Sequence, residues 1–230
     1  GDQSGSSVSL SDDGTIVAIG AVYNNGNGFQ SGHVRVYELD LNSIWTQLGS
    51  DIDGEAIQDR SGWSVSLADD GTILAIGAPA NNGNGTYSGH VRVYQLDSNS
   101  IWTQLGSDID GEASWDLSGR SVSLSDDGTI VAIGAMNNDG NGTNAGHVRV
   151  YELDSNSIWT QLGSDIDGEA PNNYSGSPVS LSDDGTILAI GAGLNSGNGT
   201  NAGHVRVYEL DLNSIWTQLG SDIDGEASGD

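Results

Sequence analysis

One block of 57 residues is written four times along this chain, and that period constrains the fold more than any single motif. Gly-His-Val-Arg-Val-Tyr begins at Gly32, Gly89, Gly146 and Gly203, and Ser-Ile-Trp-Thr-Gln-Leu-Gly at Ser43, Ser100, Ser157 and Ser214, each 57 residues after the last. A period of this size marks a supersecondary unit that hides its apolar face only by stacking on its neighbours. Asp230 stands at the same phase as Asp2, so the chain reads as a segment of a longer array, with a mature product or a consensus design as the alternatives.

Within the first unit the hydrophobic period is two, never 3.6. Val8 and Leu10 alternate with serines over Ser6–Ser11, a half-buried strand. Asp12-Asp13-Gly14 then makes a hairpin signal, and Thr15–Ala21 is continuously apolar, as a strand covered on both faces requires. An Asn/Gly-rich loop, Tyr23–Ser31, precedes the alternating run His33–Leu39; a turn at Asp40–Asn42 leads to a fourth strand expected over Ile44–Ile52. Four short antiparallel strands per unit, repeated, predict an all-β fold, a β-propeller of four 57-residue, four-stranded antiparallel blades. The competing architecture is a linear β-solenoid. One repeat domain covers residues 1–230, with blades at approximately 1–57, 58–114, 115–171 and 172–230.

Charge narrows the partners. The chain holds 32 acidic residues, six arginines and no lysine, for a formal net charge of −26. Such a surface repels phosphate backbones and anionic bilayers, which argues against nucleic acid and membrane insertion as partners. A salty or calcium-rich medium screens the self-repulsion, so an extracellular or cell-surface setting is expected. There is no cysteine, which excludes disulfides and thiolate metal sites. No apolar run reaches membrane-spanning length.

The ordered set Ser61-Gly62-Trp63-Ser64-Val65, Asp69-Asp70-Gly71, Leu74-Ala75-Ile76-Gly77-Ala78-Pro79 and Gly89-His90-Val91-Arg92-Val93-Tyr94 resembles the FG-GAP repeat, the blade of integrin-α-type propellers and of many secreted proteins. The resemblance runs through all four units and implies a propeller, an extracellular setting and an adhesive role. Three departures stand out. Ser4, Ser61, Ser118 and Ser175 replace the family's Phe, and Pro79 alone keeps the proline of the Gly-Ala-Pro element. The family's calcium loop is shortened to Asp-Asp-Gly, so calcium at those turns is not carried over.

A better calcium candidate is the closing run Asp51-Ile52-Asp53-Gly54-Glu55, whose three carboxylates alternate around a glycine. The sets are Asp51, Asp53 and Glu55; Asp108, Asp110 and Glu112; Asp165, Asp167 and Glu169; and Asp222, Asp224 and Glu226. Calcium, an ion that takes six to eight oxygens, is the cofactor such a loop would hold; a solvated acidic turn is the alternative. The repeated arginines are expected to neutralise carboxylates between blades, the repeated tryptophans to anchor blade packing, and the four histidines to fix strand entry.

The units differ mainly in two stretches: the Asn/Gly loop and the connector to the next unit. In a propeller both emerge on one face, where loops carry specificity. Phe29, Trp63, Tyr87, Trp115 and Tyr174 are the aromatics there, suited to stacking on sugar rings. Asn84, Asn141, Asn173 and Asn198 match the N-glycosylation pattern. No nucleophile–base set occurs once only, and fourfold repetition argues against an active site, so the chain is not expected to be an enzyme. The leading function is a non-catalytic extracellular scaffold, adhesion or surface-structure module whose partners are other copies of the protein, or an extracellular glycan or protein. The alternative is a calcium- or carbohydrate-binding lectin-like propeller. Whether four blades close in one chain, or two chains share an eight-bladed ring, stays open at this level.

Overall fold

The structure, a computed structural model, describes residues 1–229; they form strands and turns, with no helix among them. The predicted all-β architecture is the one observed: four antiparallel sheets, one per repeat. In the first sheet Ser4–Leu10 pairs with Ile16–Ala21, which pairs with His33–Leu39, which pairs with Trp45–Gln47.

The last expected strand is broken. Trp45–Gln47 and Ile52–Asp53 pair with opposite ends of His33–Leu39, Leu39 facing Trp45 and Val34 facing Ile52. Gly49 between them has a φ of +79°, and a Cβ there would press 2.8 Å from Trp102 of the next blade. The chain must turn away at this point to admit the neighbour's ring, which explains why one run of apolar alternation yields two short strands.

Successive blades stack through their innermost strands, Ser4–Leu10, Ser64–Leu67, Ser121–Leu124 and Val179–Leu181. The alternation of valine and leucine with serine has a direct cause here. Val65, Leu67, Val122 and Leu124 are buried between blades, while the serines stitch one inner strand to the next. Ser9 Oγ accepts from Leu67 N at 2.9 Å, and Ser66 Oγ accepts from Leu124 N at 3.0 Å. Gly77 lies so close to the Gly119 carbonyl that any Cβ would collide with it; the Gly-Ala element is thus demanded by blade spacing.

The core consists of three clusters, one at each joint. The first joins Val34, Val36 and Ile52 to Leu74, Ile76 and Tyr94; the second joins Val91, Val93 and Ile109 to Val131, Ile133 and Trp159; the third joins Val148, Val150 and Ile166 to Leu188, Ile190 and Tyr208. Each fully buried Val, Leu or Ile side chain contributes about 1.5–3 kcal/mol. Trp102, Trp159 and Trp216 lock the same joints by donating from Nε1 to the carbonyls of Leu48, Leu105 and Leu162 at 3.0, 2.8 and 2.9 Å.

Candidate functional site

The two variable stretches run side by side. Trp115 N donates to Thr86 O at 2.8 Å, Leu117 N to Tyr87 O at 3.1 Å, and Ser118 N to Ser88 O at 2.9 Å, zipping the connector along the Asn/Gly loop. Asparagine side chains shape that loop: Asn81 Oδ1 accepts from Gly83 N at 2.7 Å, and Asn82 Oδ1 from Tyr87 N at 2.8 Å. Tyr87 has a φ of 52° and Trp115 a φ of 77°. Their counterparts Asn144 and Asn172 are also left-handed, a conformation that suits asparagine and is costly for a bulky ring. Two large aromatics therefore occupy strained positions where the next repeat uses asparagine.

Between the second and third blades these loops enclose a cavity of about 280 Å³ lined by Arg60, Trp63, Pro79, Ala80, Tyr87, Trp115, Leu117, Arg120 and Asn137. The Tyr87 and Trp115 rings are 4.9 Å apart and tilted by 52°. The Arg120 guanidinium carbon lies 4.1 Å from the centre of Trp63, and that of Arg60 lies 6.0 Å from the same ring. Among the described residues neither guanidinium has a carboxylate within 4.0 Å, and the buried Arg60 Nε has no partner. Burial, and then the neighbouring Arg60 charge, pull the Arg120 guanidinium below the usual arginine range. In a chain of net charge −26, this is a local concentration of unpaired positive charge beside aromatic faces. Planar guanidinium forks suit carboxylate, sulfate or phosphate, and the rings offer flat apolar surfaces.

Of the five loop aromatics named from the sequence, Trp63, Tyr87 and Trp115 meet in this pocket. Tyr174 lines an adjoining cavity of about 300 Å³ that shares Arg120, and Phe29 stands exposed on the first blade. Sequence reasoning missed Arg60 and Arg120. The available signal was that these two of the six arginines stand outside the repeat register.

The acidic closing run does not gather into one loop site. Asp51 Oδ2 lies 3.4 Å from His33 Nδ1 and Asp53 Oδ1 3.9 Å from it, within one blade. Glu55 instead crosses the joint: Oε2 is 4.0 Å from His90 Nδ1 and Oε1 is 3.5 Å from Arg92. The groups that result are Glu55, His90 and Asp108; Glu112, His147 and Asp165; and Glu169, His204 and Asp222. Arg92, Arg149 and Arg206 complete each joint by donating to the carbonyls of Asp53, Asp110 and Asp167 at 2.8, 2.7 and 2.7 Å. Burial lowers His147 to about 4 and raises Glu112, whereas the hydrogen bond from His90 holds Asp108 low. Among the described residues Asp224 and Glu226 make no such ion pair.

These clusters are candidate metal-binding groups. Their donors, one imidazole nitrogen and two carboxylates with a guanidinium against the glutamate, do not fit calcium, which takes an all-oxygen shell of six to eight; a borderline transition ion suits an imidazole better. The Asp-Asp-Gly turns are accounted for in part by the backbone: Asp13 Oδ1 accepts from Thr15 N, Thr15 Oγ1 and Ser11 Oγ at 2.9, 2.7 and 2.8 Å, which hold its carboxyl low. Asn84, Asn141 and Asn198 turn their amide nitrogens inward, to the carbonyls of Gly111, Gly168 and Gly225, and Asn173 is buried.

Comparison with known proteins agrees with this geometry. The FG-GAP repeat family model matches residues 108–151. The periplasmic gluconolactonase of Pseudomonas aeruginosa is 17% identical with a TM-score of 0.66 over 98% of this chain and 58% of that one. A candidate 6-phosphogluconolactonase of Bacteroides uniformis is 10% identical with a TM-score of 0.54, over 95% and 71%. A functionally unknown protein of Desulfotomaculum acetoxidans is 14% identical with a TM-score of 0.58, over 93% and 54%. The chain thus spans little more than half the length of the first of these structures. No curated relative matches it.

Two of those structures are named for lactonase activity, which overturns the expectation that this chain is not an enzyme. Fourfold repetition carried that expectation, and the pocket breaks it by drawing unlike residues, Arg60 and Trp63 from one connector and Trp115 and Arg120 from the next. No helix is long and apolar enough to cross a membrane among the described residues. With four sheets stacked through their inner strands, the chain has a β-propeller-type fold, and one stretch of it, residues 108–151, matches the FG-GAP repeat.

Proposed function

We propose that the chain is an extracellular or cell-surface scaffold that binds an acidic saccharide in the pocket between its second and third blades. The observation that carries this reading is the pair of guanidiniums, Arg60 and Arg120, stacked toward Trp63 without a carboxylate partner. A sugar ring carrying a carboxylate or sulfate matches both halves of the pocket: the charge meets the guanidiniums, and the ring's apolar face meets Trp63 or Trp115.

The surrounding charge sets the conditions. A field of this sign repels a polyanionic glycan at long range, and ions at about 0.1 M screen it beyond about 10 Å. The recognising contacts are much shorter than that and survive the same salt. This supports a saline extracellular medium as the working environment, with adhesion through the variable face as the role.

An array of neutral, uronate-bearing and sulfated oligosaccharides tests the proposal. Retention confined to the acidic members, and lost in Arg120→Gln, supports it; equal retention of neutral members, or none of any, rejects it. Following the retained sugars by mass spectrometry distinguishes binding from turnover.

A further inference from the structure

We propose that the carboxylate–imidazole clusters at the blade joints are transition-metal sites, each holding a divalent ion of the zinc class between two successive blades.

Each site draws on two blades. His147 opens the strand His147–Leu153, which pairs with Ile166–Asp167, so Asp165 arrives beside it from the same blade. Glu112 reaches across the joint from the closing run of the blade before. Glu112 Oε2 lies 3.9 Å and Asp165 Oδ2 4.0 Å from His147 Nδ1. One joint further on, Glu169 Oε2 lies 3.8 Å and Asp222 Oδ2 3.6 Å from His204 Nδ1. These separations exceed a hydrogen bond, which needs about 2.7–3.2 Å between nitrogen and oxygen. Two ligands of one tetrahedral ion, each bonded at about 2.0–2.2 Å, stand about 3.4 Å apart. The three donor atoms of each cluster lie within 4.8 Å of one another, so they surround a gap that an ion fills after a small inward movement of the carboxylates.

The imidazoles are buried and face that gap unsatisfied. The His147 and His204 side chains are each 1% exposed. Neither Nδ1 has a hydrogen-bond partner, nor has His204 Nε2. A buried polar atom left unpaired is costly, and a metal bond to Nδ1 removes that cost.

The carboxylates are oriented by outer partners. Gln161 Nε2 donates to Asp165 Oδ1 at 2.7 Å and Gln218 Nε2 to Asp222 Oδ1 at 2.6 Å, leaving each Oδ2 toward the histidine. Arg149 Nη1 lies 3.7 Å from Glu112 Oε1, and Arg206 Nη1 3.9 Å from Glu169 Oε1, so Oε2 is again the oxygen near the imidazole. Fixing one oxygen of a carboxylate while the other stays open is how an outer shell aims metal ligands. The guanidinium charge opposes a cation, but two carboxylates balance a divalent ion, and each arginine is anchored on a backbone carbonyl, Asp110 O or Asp167 O. Glu55, His90 and Asp108 repeat the arrangement, with Gln104 Nε2 donating to Asp108 Oδ1 at 2.6 Å.

One imidazole and two carboxylates leave the fourth tetrahedral position for water, and the part-exposed carboxylates admit the ion from solvent. The imidazole favours zinc-class ions over calcium or magnesium. Because glutamate and histidine belong to different blades, the ion fastens the joint, and its binding adds to the stability of the fold.

Calorimetric titration of the whole chain with zinc chloride, in excess magnesium, tests this. The expected result is three equivalents, one per cluster, with a Tm raised by zinc and not by magnesium. His147→Gln should remove one equivalent. Glu112→Gln changes a part-exposed side chain without altering its shape, and should weaken one site at least about tenfold while the other two hold. Cobalt(II) gives a second readout, since its visible absorption in a tetrahedral site should fall by about a third in either variant. No zinc uptake beside magnesium overturns the proposal. So does uptake that folded Glu112→Gln and His147→Gln leave unchanged, which would put the ion on the surface aspartates instead.

Discussion

Arg120 stacks 4.1 Å from the centre of Trp63, and the two residues occupy the same position in successive units of the repeat, which reads Ser6, Trp63, Arg120 and Ser177. A position that holds a serine at both ends of the array has been given a ring in one blade and a cation in the next. The two side chains face each other across the joint. That substitution pattern, not any strand, distinguishes this pocket from the other joints.

Removing either partner should weaken recognition without unfolding the chain. A cation–π contact contributes about 0.5–2 kcal/mol, so Trp63→Ala and Arg120→Gln should each weaken acidic-saccharide binding by roughly twofold to thirtyfold. Isothermal titration with the same oligosaccharide measures it, and thermal melting checks that the fold is retained.

Salt should act in an unusual direction. Binding of a cationic pocket to an anion ordinarily weakens as ions are added. Here the long-range field is repulsive, so affinity for a charged oligosaccharide should rise between about 0.01 M and about 0.15 M salt before the short contacts are themselves screened. A monotonic loss of affinity over that interval, by the same titration, would argue that the bound ligand never senses the acidic surface.

The pH response of stability has two opposing parts. Asp126 lies in a row with Asp12, Asp69 and Asp183, tied through the backbone bonds of Asp12 N to Asp69 O and Asp126 N to Asp183 O, both 2.9 Å. Burial, then the hydrogen bond shared with Asp69 and the neighbouring aspartate charges, raise it from 3.8 to about 6. The native state thus holds an extra proton in that window, and this group's contribution falls as pH rises through it. Asp126→Asn should raise the Tm above pH 6 and change little below about pH 4. His147 works the other way: its folded value of about 4 lies below the ordinary 6.5, so the unfolded chain takes the proton first and stability is lost as pH falls between them. His147→Gln should flatten that limb. Calorimetric melting from pH 4 to pH 8 reads both.

Equivalent tryptophans should differ in what they contribute. Trp159 is buried in a joint and hydrogen-bonded to Leu105, and its replacement by Ala should cost about 3–5 kcal/mol. Trp45, its counterpart in the first unit, is 43% exposed and should cost less than half as much. Urea unfolding at low protein concentration compares them.

Calcium should not raise the Tm beyond what magnesium does at equal ionic strength, because the joint clusters offer one imidazole and two carboxylates in place of an all-oxygen shell. A calcium-specific shift in differential scanning fluorimetry would place a cation site among the aspartates and reopen that assignment.

Much of the architecture is legible in the sequence. The period of two along Ser6–Ser11 and the unbroken apolar run to Ala21 announce their strands because burial on one or two faces writes directly into the residue pattern, and His33–Leu39 is observed with the bounds expected. The break at Gly49 is not legible, since it answers to a ring, Trp102, that lies 53 residues on. Nor is the regrouping of Glu55 with His90: spacing along the chain puts it beside Asp53, and only the stacking of blades puts it beside the next histidine. Arg60 and Arg120 are visible as residues out of register, but their meeting over Trp63 depends on how two connectors fold against neighbouring loops.

The most direct test of the account is a tryptophan-fluorescence titration with a short oligogalacturonide and with its methyl ester, in about 0.15 M salt. The two probes share rings and linkages and differ in charge. The account predicts a saturable change in emission with the acid, absent with the ester and lost in Arg120→Gln. Equal responses to acid and ester, or an acid response that survives the arginine substitution, would contradict it.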